Sequence, residues 1–335
     1  MPTTTEQALV PVTILTGFLG AGKTTLLNRI LTEQHGEKIA VIENEFGEAG
    51  IDNELLLQDR DEQIVEMNNG CICCTVRGDL VRILGELAEK RQAGSLKFDR
   101  VIIETTGLAD PGPVAQTFFM DEDIHARYLL DAVITVVDAK HAPVQIREHD
   151  EVQEQVGFAD RLLLSKTDLV AEEEVLKLQE RLRKMNPRAA QKRVHFGKTD
   201  IKDILDIKGF NLNAILEVEP DFLKEDHHEH DDDVKSFVWR DPRPLSMEKI
   251  EMFLSLMVET YGKDMLRYKG VLSIAGEDRR MVFQGVYMIM GGSPGKPWGA
   301  DETRESVMVF IGRNLPQRIF TEGLAYCIEG ADVAA

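Results

Sequence analysis

The sequence has few cysteines, little positive charge and no long apolar run. Only four of its 335 residues are cysteines, and three of these crowd into positions 71 to 74. That spacing is not typical of a disulfide framework, and it favours a reducing, cytoplasmic location. Lysine and arginine total 39 against 58 aspartates and glutamates, which gives a formal net charge of −19. This balance argues against partners such as nucleic acid or an anionic membrane.

Two further absences concern membranes and export. No stretch approaches the roughly 20 apolar residues that a membrane-spanning helix needs. Residues Met1 to Pro11 are polar and lack the charged and apolar regions of a signal peptide, so we expect a flexible N-terminus there. The hydrophobic content of 43% over 335 residues is enough for two domains with a core each.

Residues 12–31 carry the strongest motif in the chain. Val12 to Thr16 is a short β-branched run, Gly17 to Thr24 fits G-x-x-x-x-G-K-[ST], and a helical run follows. Glycines let backbone amides approach a triphosphate, the lysine charge meets its β- and γ-phosphates, and the threonine hydroxyl helps to hold Mg²⁺. A glycine-rich turn that binds no ligand is one alternative. A dinucleotide-binding loop does not fit, because its glycine motif lacks the Lys-Thr pair. The predicted nucleotide-binding residues here are Gly17, Gly20, Ala21, Gly22, Lys23, Thr24 and Thr25.

The pattern of strands and helices predicts an α/β fold in the first two thirds of the chain. Apolar strands alternate with helical stretches, which is typical of a mostly parallel P-loop NTPase sheet with helices on both faces and ligands at the carboxyl ends of strands. Further along, the strands Lys235–Arg240, Leu266–Ile274, Met281–Met290 and Val307–Gly312 predict a smaller antiparallel α+β domain. The predicted limits are a P-loop domain over residues 12–215, an acidic linker over 216–234 and a C-terminal domain over 235–330.

Glu104 ends the predicted strand Asp99–Glu104 and is the candidate carboxylate beside Mg²⁺. Gly107 follows three residues later, where its amide could meet the γ-phosphate. Together with Lys23 and Thr24, Glu104 forms the predicted catalytic set. Leu108 stands where Ras-like enzymes place a glutamine that orients water, so we expect slow intrinsic hydrolysis that a partner or a bound metal could raise.

The segment Ser165-Lys166-Thr167-Asp168 follows a buried strand and indicates guanine binding. One carboxylate, that of Asp168, can accept hydrogen bonds from both the ring N1–H and the exocyclic amine of guanine, whereas adenine presents an acceptor at N1. The stem of Lys166 would cover the base. The usual motif is Asn-Lys-x-Asp, and serine replaces asparagine here. A second base-contacting loop is a further hypothesis for residues 195–197.

Cys71, Cys73 and Cys74 form the second constellation. Three thiolates this close can share one soft cation such as Zn²⁺. A redox pair of the Cys-x-x-Cys type and buried unliganded cysteines are the alternatives. Three thiolates leave a fourth ligand position, which Glu43 or Glu48 could fill, or which could stay open.

The segments GFLGAGKTTLLN, IENEFGE, GCICC, ETTGLADPGP and SKTD, with the later YKG, FQGV and MVFIG, resemble the CobW-type metallochaperone GTPases. The resemblance covers the chain from Val12 to about Leu315. It implies a cytoplasmic protein that binds GTP with Mg²⁺, carries zinc or a similar transition metal, and delivers it to a client protein. By this resemblance Cys71, Cys73 and Cys74 hold the metal, with Glu43 and Glu48 as further ligands.

Some questions stay open at the level of sequence. The tract Asp226 to Asp233 contains three histidines and resembles in miniature a His-rich tract of some family members, although an acidic linker is an equal reading. A zinc-buffering protein with vestigial hydrolysis and a P-loop ATPase or small-molecule kinase remain alternative functions. The expected partners are a guanine nucleotide, zinc or a similar transition metal and a client metalloprotein, with a homo-oligomer as a further option.

Overall fold

The computed structural model describes residues 9–33, 36–43, 64–66, 74–200, 204–210, 233–299 and 302–330, with the backbone alone for 64–66 and 74–77. These residues form two compact units that interleave along the chain. The first contains the described residues up to Lys140, Asp160–Ala171 and Gln191–Ile207, and the second contains His141–Ala159, Glu172–Ala190 and the described residues from Lys208 onward. The predicted linker, residues 216–234, lies outside the described residues except for its last two positions.

The first unit is organised around a sheet whose strands run in the order β3-β2-β4-β1-β5-β6-β7. Every pairing among β1 to β6 is parallel, which confirms the predicted fold class. The strands are β1 (Val10–Thr16), β2 (Ile39–Glu43), β3 (Ile64–Glu66), β4 (Arg100–Glu104), β5 (Tyr128–Asp138), β6 (Arg161–Ser165) and β7 (Ala190–Arg193). The helices are α1 (Lys23–Thr32), α2 (Cys74–Gln92), α3 (Gly112–Met120) and α4 (Glu122–His125).

The apolar residues of the central strands explain why this sheet lies inside its unit. β2 is buried along its whole length, and β1 is buried at every residue but Pro11, as expected of parallel strands covered on both faces. Leu26, Leu27 and Ile30 of α1 pack on these strands. The packing fixes the start of α1 at the carboxyl end of β1, where the phosphate-loop motif lies.

The second unit contains the sheet β11-β10-β9-β12-β8, in which every neighbouring pair is antiparallel. Its elements are α5 (Ala142–Glu148), α6 (Asp150–Phe158), α7 (Glu172–Met185), β8 (Val234–Asp241), α8 (Met247–Tyr261), β9 (Arg267–Leu272), β10 (Arg279–Val286), β11 (Ile289–Pro297), β12 (Ser306–Arg313) and α9 (Gln317–Tyr326). Phe237, Tyr268 and Phe310 of the sheet pack against Leu254 and Phe320 of the last two helices. The predicted antiparallel α+β unit is therefore confirmed.

The structure corrects two predicted strands. The single strand Met281–Met290 is wrong, because the chain turns after Val286 and returns as β11. Tyr287 adopts a left-handed φ of 52° at that turn without the glycine or asparagine that usually signals one. The sequence also predicts a strand over Arg193–Phe196, whereas the observed β7 covers Ala190–Arg193. Among the described residues, no helix is long and apolar enough to span a membrane.

Candidate functional site

The loop between β1 and α1 has the backbone of a phosphate cradle. Gly17, Gly20 and Gly22 have φ angles of 142°, 71° and 106°, which side-chain-bearing residues rarely adopt. A Cβ at Gly17 would lie 2.3 Å from the carbonyl oxygen of Val136 on β5. The loop therefore needs glycine at this position both for its conformation and for its closeness to the neighbouring strand.

The side chain of Lys23 lies inside that loop. Its Nζ donates a hydrogen bond to the Gly17 carbonyl oxygen at 2.8 Å. Burial lowers the pKa of Lys23, and the nearby charge of Glu104 opposes part of the shift. The ammonium thus lies where the backbone turns, close to a carboxylate and largely shielded from water, which strengthens its interaction with an anion.

Two predicted magnesium ligands are neighbours. Thr24 Oγ1, at the start of α1, donates a hydrogen bond to Glu104 Oε1 at 3.3 Å. Two hydrogen bonds to β1 fix the strand end that carries Glu104. Thr105 Oγ1 donates to Thr16 Oγ1 at 2.8 Å, and the Thr105 amide donates to the Leu15 carbonyl. This geometry brings a hydroxyl and a carboxylate together at the mouth of the loop, which is the hard oxygen set that Mg²⁺ prefers.

Gly107 packs directly against the phosphate loop. A Cβ on Gly107 would lie 2.6 Å from the backbone nitrogen of Leu19 and 2.8 Å from its Cα. The side chains of Leu19 and Leu108 are both about half exposed beside this contact. A movement of the segment after Glu104 would therefore displace the phosphate loop. A movement of the phosphate loop would likewise displace that segment.

Glu43 ends β2 next to Glu104. The two residues are Cα partners in the parallel pairing of β2 with β4, and Glu43 also pairs with Glu66 of β3. Three neighbouring strands thus end in glutamate at one register. The Glu43 side chain is 8% exposed. The structure therefore places Glu43, a predicted zinc ligand, next to Glu104, the predicted magnesium ligand.

The side chains of the remaining predicted zinc ligands lie outside the described part of the chain. Glu48, Cys71 and Cys73 lie outside the described residues, and only the backbone of Cys74 is described, as the first residue of α2. Among the described residues there is no group of three or more histidine, cysteine or acidic side chains that could hold a metal. The tract from Asp226 lies outside the described residues except for Asp233.

The predicted base-binding segment is tied to the phosphate loop. Lys166, at a left-handed φ of 56°, donates from Nζ to the Gly20 carbonyl at 2.8 Å and to Asp138 Oδ2 at 2.7 Å. Ser165 Oγ donates to the Ala21 carbonyl at 2.7 Å. The serine that replaces the usual asparagine therefore still connects the base-binding segment to the phosphate loop.

Asp138 lies beside the predicted base-binding segment, and sequence reasoning missed it. Its side chain is 2% exposed, and its carboxylate accepts hydrogen bonds from Lys166 Nζ and from the Lys140 amide. Its position as the last residue of a long apolar strand was the available signal, because polar residues at such ends adjoin ligand sites in parallel sheets. Asp138 thus orients the ammonium group of Lys166, which also contacts the phosphate loop at the Gly20 carbonyl.

Asp168 lies in the short 3₁₀ turn after β6, with its carboxylate partly open to solvent. Its Oδ1 is 3.4 Å from Nδ1 of His195, which belongs to the loop after β7. The structure therefore brings Asp168 and the hypothesised second loop side by side.

Comparisons with known proteins bear on the whole chain. A family model for the CobW/HypB/UreG nucleotide-binding domain matches residues 11–193, and one for the cobalamin synthesis protein cobW C-terminal domain matches residues 234–328. The zinc chaperone YjiA of Escherichia coli is 46% identical over 312 residues, covering 92% of this chain and 95% of that protein. The zinc chaperone CobW of Pseudomonas aeruginosa is 35% identical, covering 92% and 89%.

A solved structure agrees with these sequence comparisons. The crystal structure of the Zn(II)-bound YjiA GTPase from E. coli matches with a TM-score of 0.78 at 37% identity. The match covers 96% of this chain and all of that one. The similarity extends over both units and is not confined to the phosphate-loop sheet.

Proposed function

The chain belongs to the CobW/HypB/UreG family, and from this premise we propose that it is a GTPase that couples GTP hydrolysis to the binding and delivery of zinc. The observation that carries the proposal is the pairing of Glu43 with Glu104 at the ends of adjacent strands. One carboxylate is assigned to the zinc cargo and the other to nucleotide-bound magnesium. Neighbouring ends of one sheet make a direct physical link between the two.

The phosphate loop fits a magnesium nucleotide. Its positive-φ glycines free the backbone amides to face phosphate oxygens, and the buried Lys23 supplies a cation that lies against the loop. Thr24 and Glu104 would hold Mg²⁺, directly or through water, at the mouth of the loop. When bound, the metal neutralises charge on the β- and γ-phosphate oxygens.

The base site fits guanine. Asp168 would accept the two adjacent N–H donors of guanine, while the aliphatic stem of Lys166 covers one face of the ring. Lys166 is well placed for that role because Asp138 and the Gly20 carbonyl already hold its ammonium. The same contacts transmit the presence of a base to the phosphate loop.

Hydrolysis by these residues alone should be slow. Gly107 would place its amide near the γ-phosphate, and its close packing on Leu19 restricts where that amide can go. Leu108, the next residue, is exposed and cannot orient water by hydrogen bonding. A partner protein or the bound cargo must then supply acceleration, which is the expected behaviour of a switch rather than of a metabolic enzyme.

Zinc is the cargo of the proposed cycle. Cys71, Cys73 and Cys74 would bind it as thiolates, with Glu43 or Glu48 as a further ligand. With GTP bound, contacts at Glu104 and Gly107 would hold the strand end that carries Glu43, and zinc would bind more tightly. Hydrolysis releases those contacts, and zinc passes to a client metalloprotein in the cytoplasm.

One experiment tests the coupling. Zinc affinity would be measured by competition with a chromophoric chelator for the wild type and for Cys73→Ala, each with a non-hydrolysable GTP analogue and with GDP. We expect wild-type zinc affinity to differ between the two nucleotides by about 5- to 150-fold, the usual range of allosteric coupling. Equal affinities with the two nucleotides would contradict the proposed function. So would unchanged binding by Cys73→Ala.

A further inference from the structure

The loop after β7 contains a turn with an unusual residue at its tip. The Lys198 amide donates to the His195 carbonyl at 2.9 Å, which closes a four-residue turn. Its central residues, Phe196 and Gly197, have φ angles of 46° and 70°. Positive φ at both positions is the signature of a type I′ turn, in which asparagine, aspartate or glycine is strongly preferred at the first central position.

Neither turn formation nor core packing accounts for phenylalanine at this position. A bulky aromatic residue is strained in the left-handed region. Its side chain is 73% exposed, the highest value among the large apolar residues that the structure describes. The residue therefore adds strain to the turn and gains little burial in return. Residues whose backbone strain is not offset by packing are concentrated at functional sites.

The turn is anchored on both sides of the proposed nucleotide site. The Val194 amide donates to the Leu164 carbonyl of β6, just before the base-binding segment. A Cβ on Gly197 would lie 3.1 Å from the Thr25 carbonyl, so the turn also presses on the first turn of α1. These contacts hold the tip of the turn between the base-binding segment and the phosphate-loop helix.

The aromatic ring is also near the carboxylate that reads the base. The Phe196 and His195 rings meet edge to face with centroids 4.6 Å apart. His195 Nδ1 is in turn 3.4 Å from Asp168 Oδ1. An exposed ring thus lies one side chain away from the group that would accept the guanine donors.

We infer that Phe196 is the stacking platform for the guanine ring, opposite the stem of Lys166. The inference rests on the proposed function, because it deepens the assignment of the same base site. The strain at Phe196 is then retained because only an aromatic residue at the tip offers a flat apolar surface to the base. Stacking of this kind is sequence-tolerant toward bases, so guanine selection stays with Asp168.

The substitution Phe196→Asn gives a test in which stability and binding move in opposite directions. Asparagine suits the first central position of a type I′ turn, so the melting temperature of the nucleotide-free protein should rise. Affinity for GDP with Mg²⁺, measured calorimetrically, should fall by about 5- to 150-fold, the range that loss of one stacked base gives. Affinity for pyrophosphate with Mg²⁺ should not change, since the phosphate loop is intact.

Two further variants complete the test. Phe196→Tyr keeps the ring and should bind GDP within about twofold of wild type. Met252→Ala, which removes a similarly exposed apolar side chain from α8, should leave GDP affinity unchanged. If Phe196→Asn binds GDP as tightly as wild type, or if Phe196→Tyr loses as much affinity as Phe196→Asn, the inference is wrong. Failure of the wild type to bind GDP would instead overturn the proposed function itself, and the inference with it.

Discussion

Glu43 and Glu104 are Cα partners at the carboxyl ends of two adjacent parallel strands, β2 and β4. Neighbouring strands lie about 4.8 Å apart, so the two carboxylates occupy one small region of the sheet edge. Ionised carboxylates this close repel each other, and a cation held by either one relieves that repulsion. The pairing supplies a physical reason for zinc and the magnesium nucleotide to affect each other's binding.

The first prediction concerns Glu43→Gln, which keeps the shape of the side chain and removes its charge. Zinc affinity in the presence of a GTP analogue should fall by about tenfold or more, because one ligand and its charge are lost. GDP affinity without zinc should remain close to that of wild type. Glu89→Gln, an equal charge change at an exposed position of α2, is the matched control. Chelator competition measures the zinc affinities, and retention of wild-type affinity by Glu43→Gln would remove Glu43 from the ligand set.

Lys23→Ala separates a GTP-driven chaperone from a zinc buffer. Loss of the buried ammonium should lower the rate of GTP hydrolysis by about 10²- to 10³-fold, the usual effect of removing one donor to developing charge. Transfer of zinc to an acceptor chelator should then no longer respond to GTP. Lys38→Ala removes an exposed lysine outside the loop and serves as the control. Undiminished nucleotide-dependent transfer by Lys23→Ala would favour the buffering function.

Asp168→Asn should change which purine is accepted. Xanthine carries a carbonyl oxygen where guanine carries its exocyclic amine, so an asparagine amide can donate to it while its oxygen accepts the N1–H. We expect GTP hydrolysis at low substrate to fall by about 10²-fold and XTP hydrolysis to rise, since an unpaired polar group in a base site is strongly rejected. Hydrolysis rates with GTP, XTP and ATP measure the change. A variant that prefers ATP, or one with unaltered GTP use, would contradict guanine reading by Asp168.

Gly107→Ala tests the contact between the segment after Glu104 and the phosphate loop. The added methyl would meet backbone atoms of Leu19 closer than 3 Å, and backbone cannot swing away as a side chain can. We expect a drop of about tenfold or more in hydrolysis, with the melting temperature lowered by a few degrees.

Gly85→Ala is the matched control for that contact. A Cβ at Gly85 in α2 meets nothing within 4 Å, so alanine there should stabilise the helix by about 1 kcal/mol and leave hydrolysis unchanged. Calorimetry and a phosphate-release assay give the two readouts. Equal behaviour of the two variants would mean that Gly107 tolerates a side chain.

Asp138→Asn removes the buried charge that holds Lys166. The lysine would keep its bond to the Gly20 carbonyl but lose its ion pair, so the base-binding segment should be less ordered. A charge-assisted hydrogen bond contributes about 1.5–3 kcal/mol, which predicts GDP binding weaker by about tenfold or more. Asp241→Asn, at an ion pair of the second unit, should leave GDP binding unaltered. Wild-type GDP affinity in Asp138→Asn would show that Lys166 needs no such anchor.

Much of the first unit could be predicted because its information is local. The predicted strand Asp99–Glu104 differs from the observed β4, Arg100–Glu104, by a single residue, because a short apolar run ended by a charged residue is a local signal. The sequence signal for the phosphate loop is also local. Its glycines, Lys23 and Thr24 fall within eight consecutive positions.

The features that sequence reasoning missed depend on distant contacts or on turns without their usual residues. Ser165 bonds to a carbonyl 144 residues earlier in the chain, and the partnership of Asp138 with Lys166 is set by neighbouring strands. The hairpin at Tyr287 and the turn at Phe196 both place aromatic residues at positive φ. Turn prediction relies on glycine, asparagine and aspartate, so such positions give no signal.

The interleaving of the two units has a consequence for truncation of the chain. The sequence passes between them at residues 140–141, 159–160, 171–172, 190–191 and 207–208. Within the second unit, Ser236 bonds to the Lys184 carbonyl, and Arg313 pairs with Glu154. Helices α6 and α7 therefore belong to the fold of the C-terminal sheet. Deletion of the segment after residue 233 would therefore remove the residues that α6 and α7 contact in the C-terminal sheet.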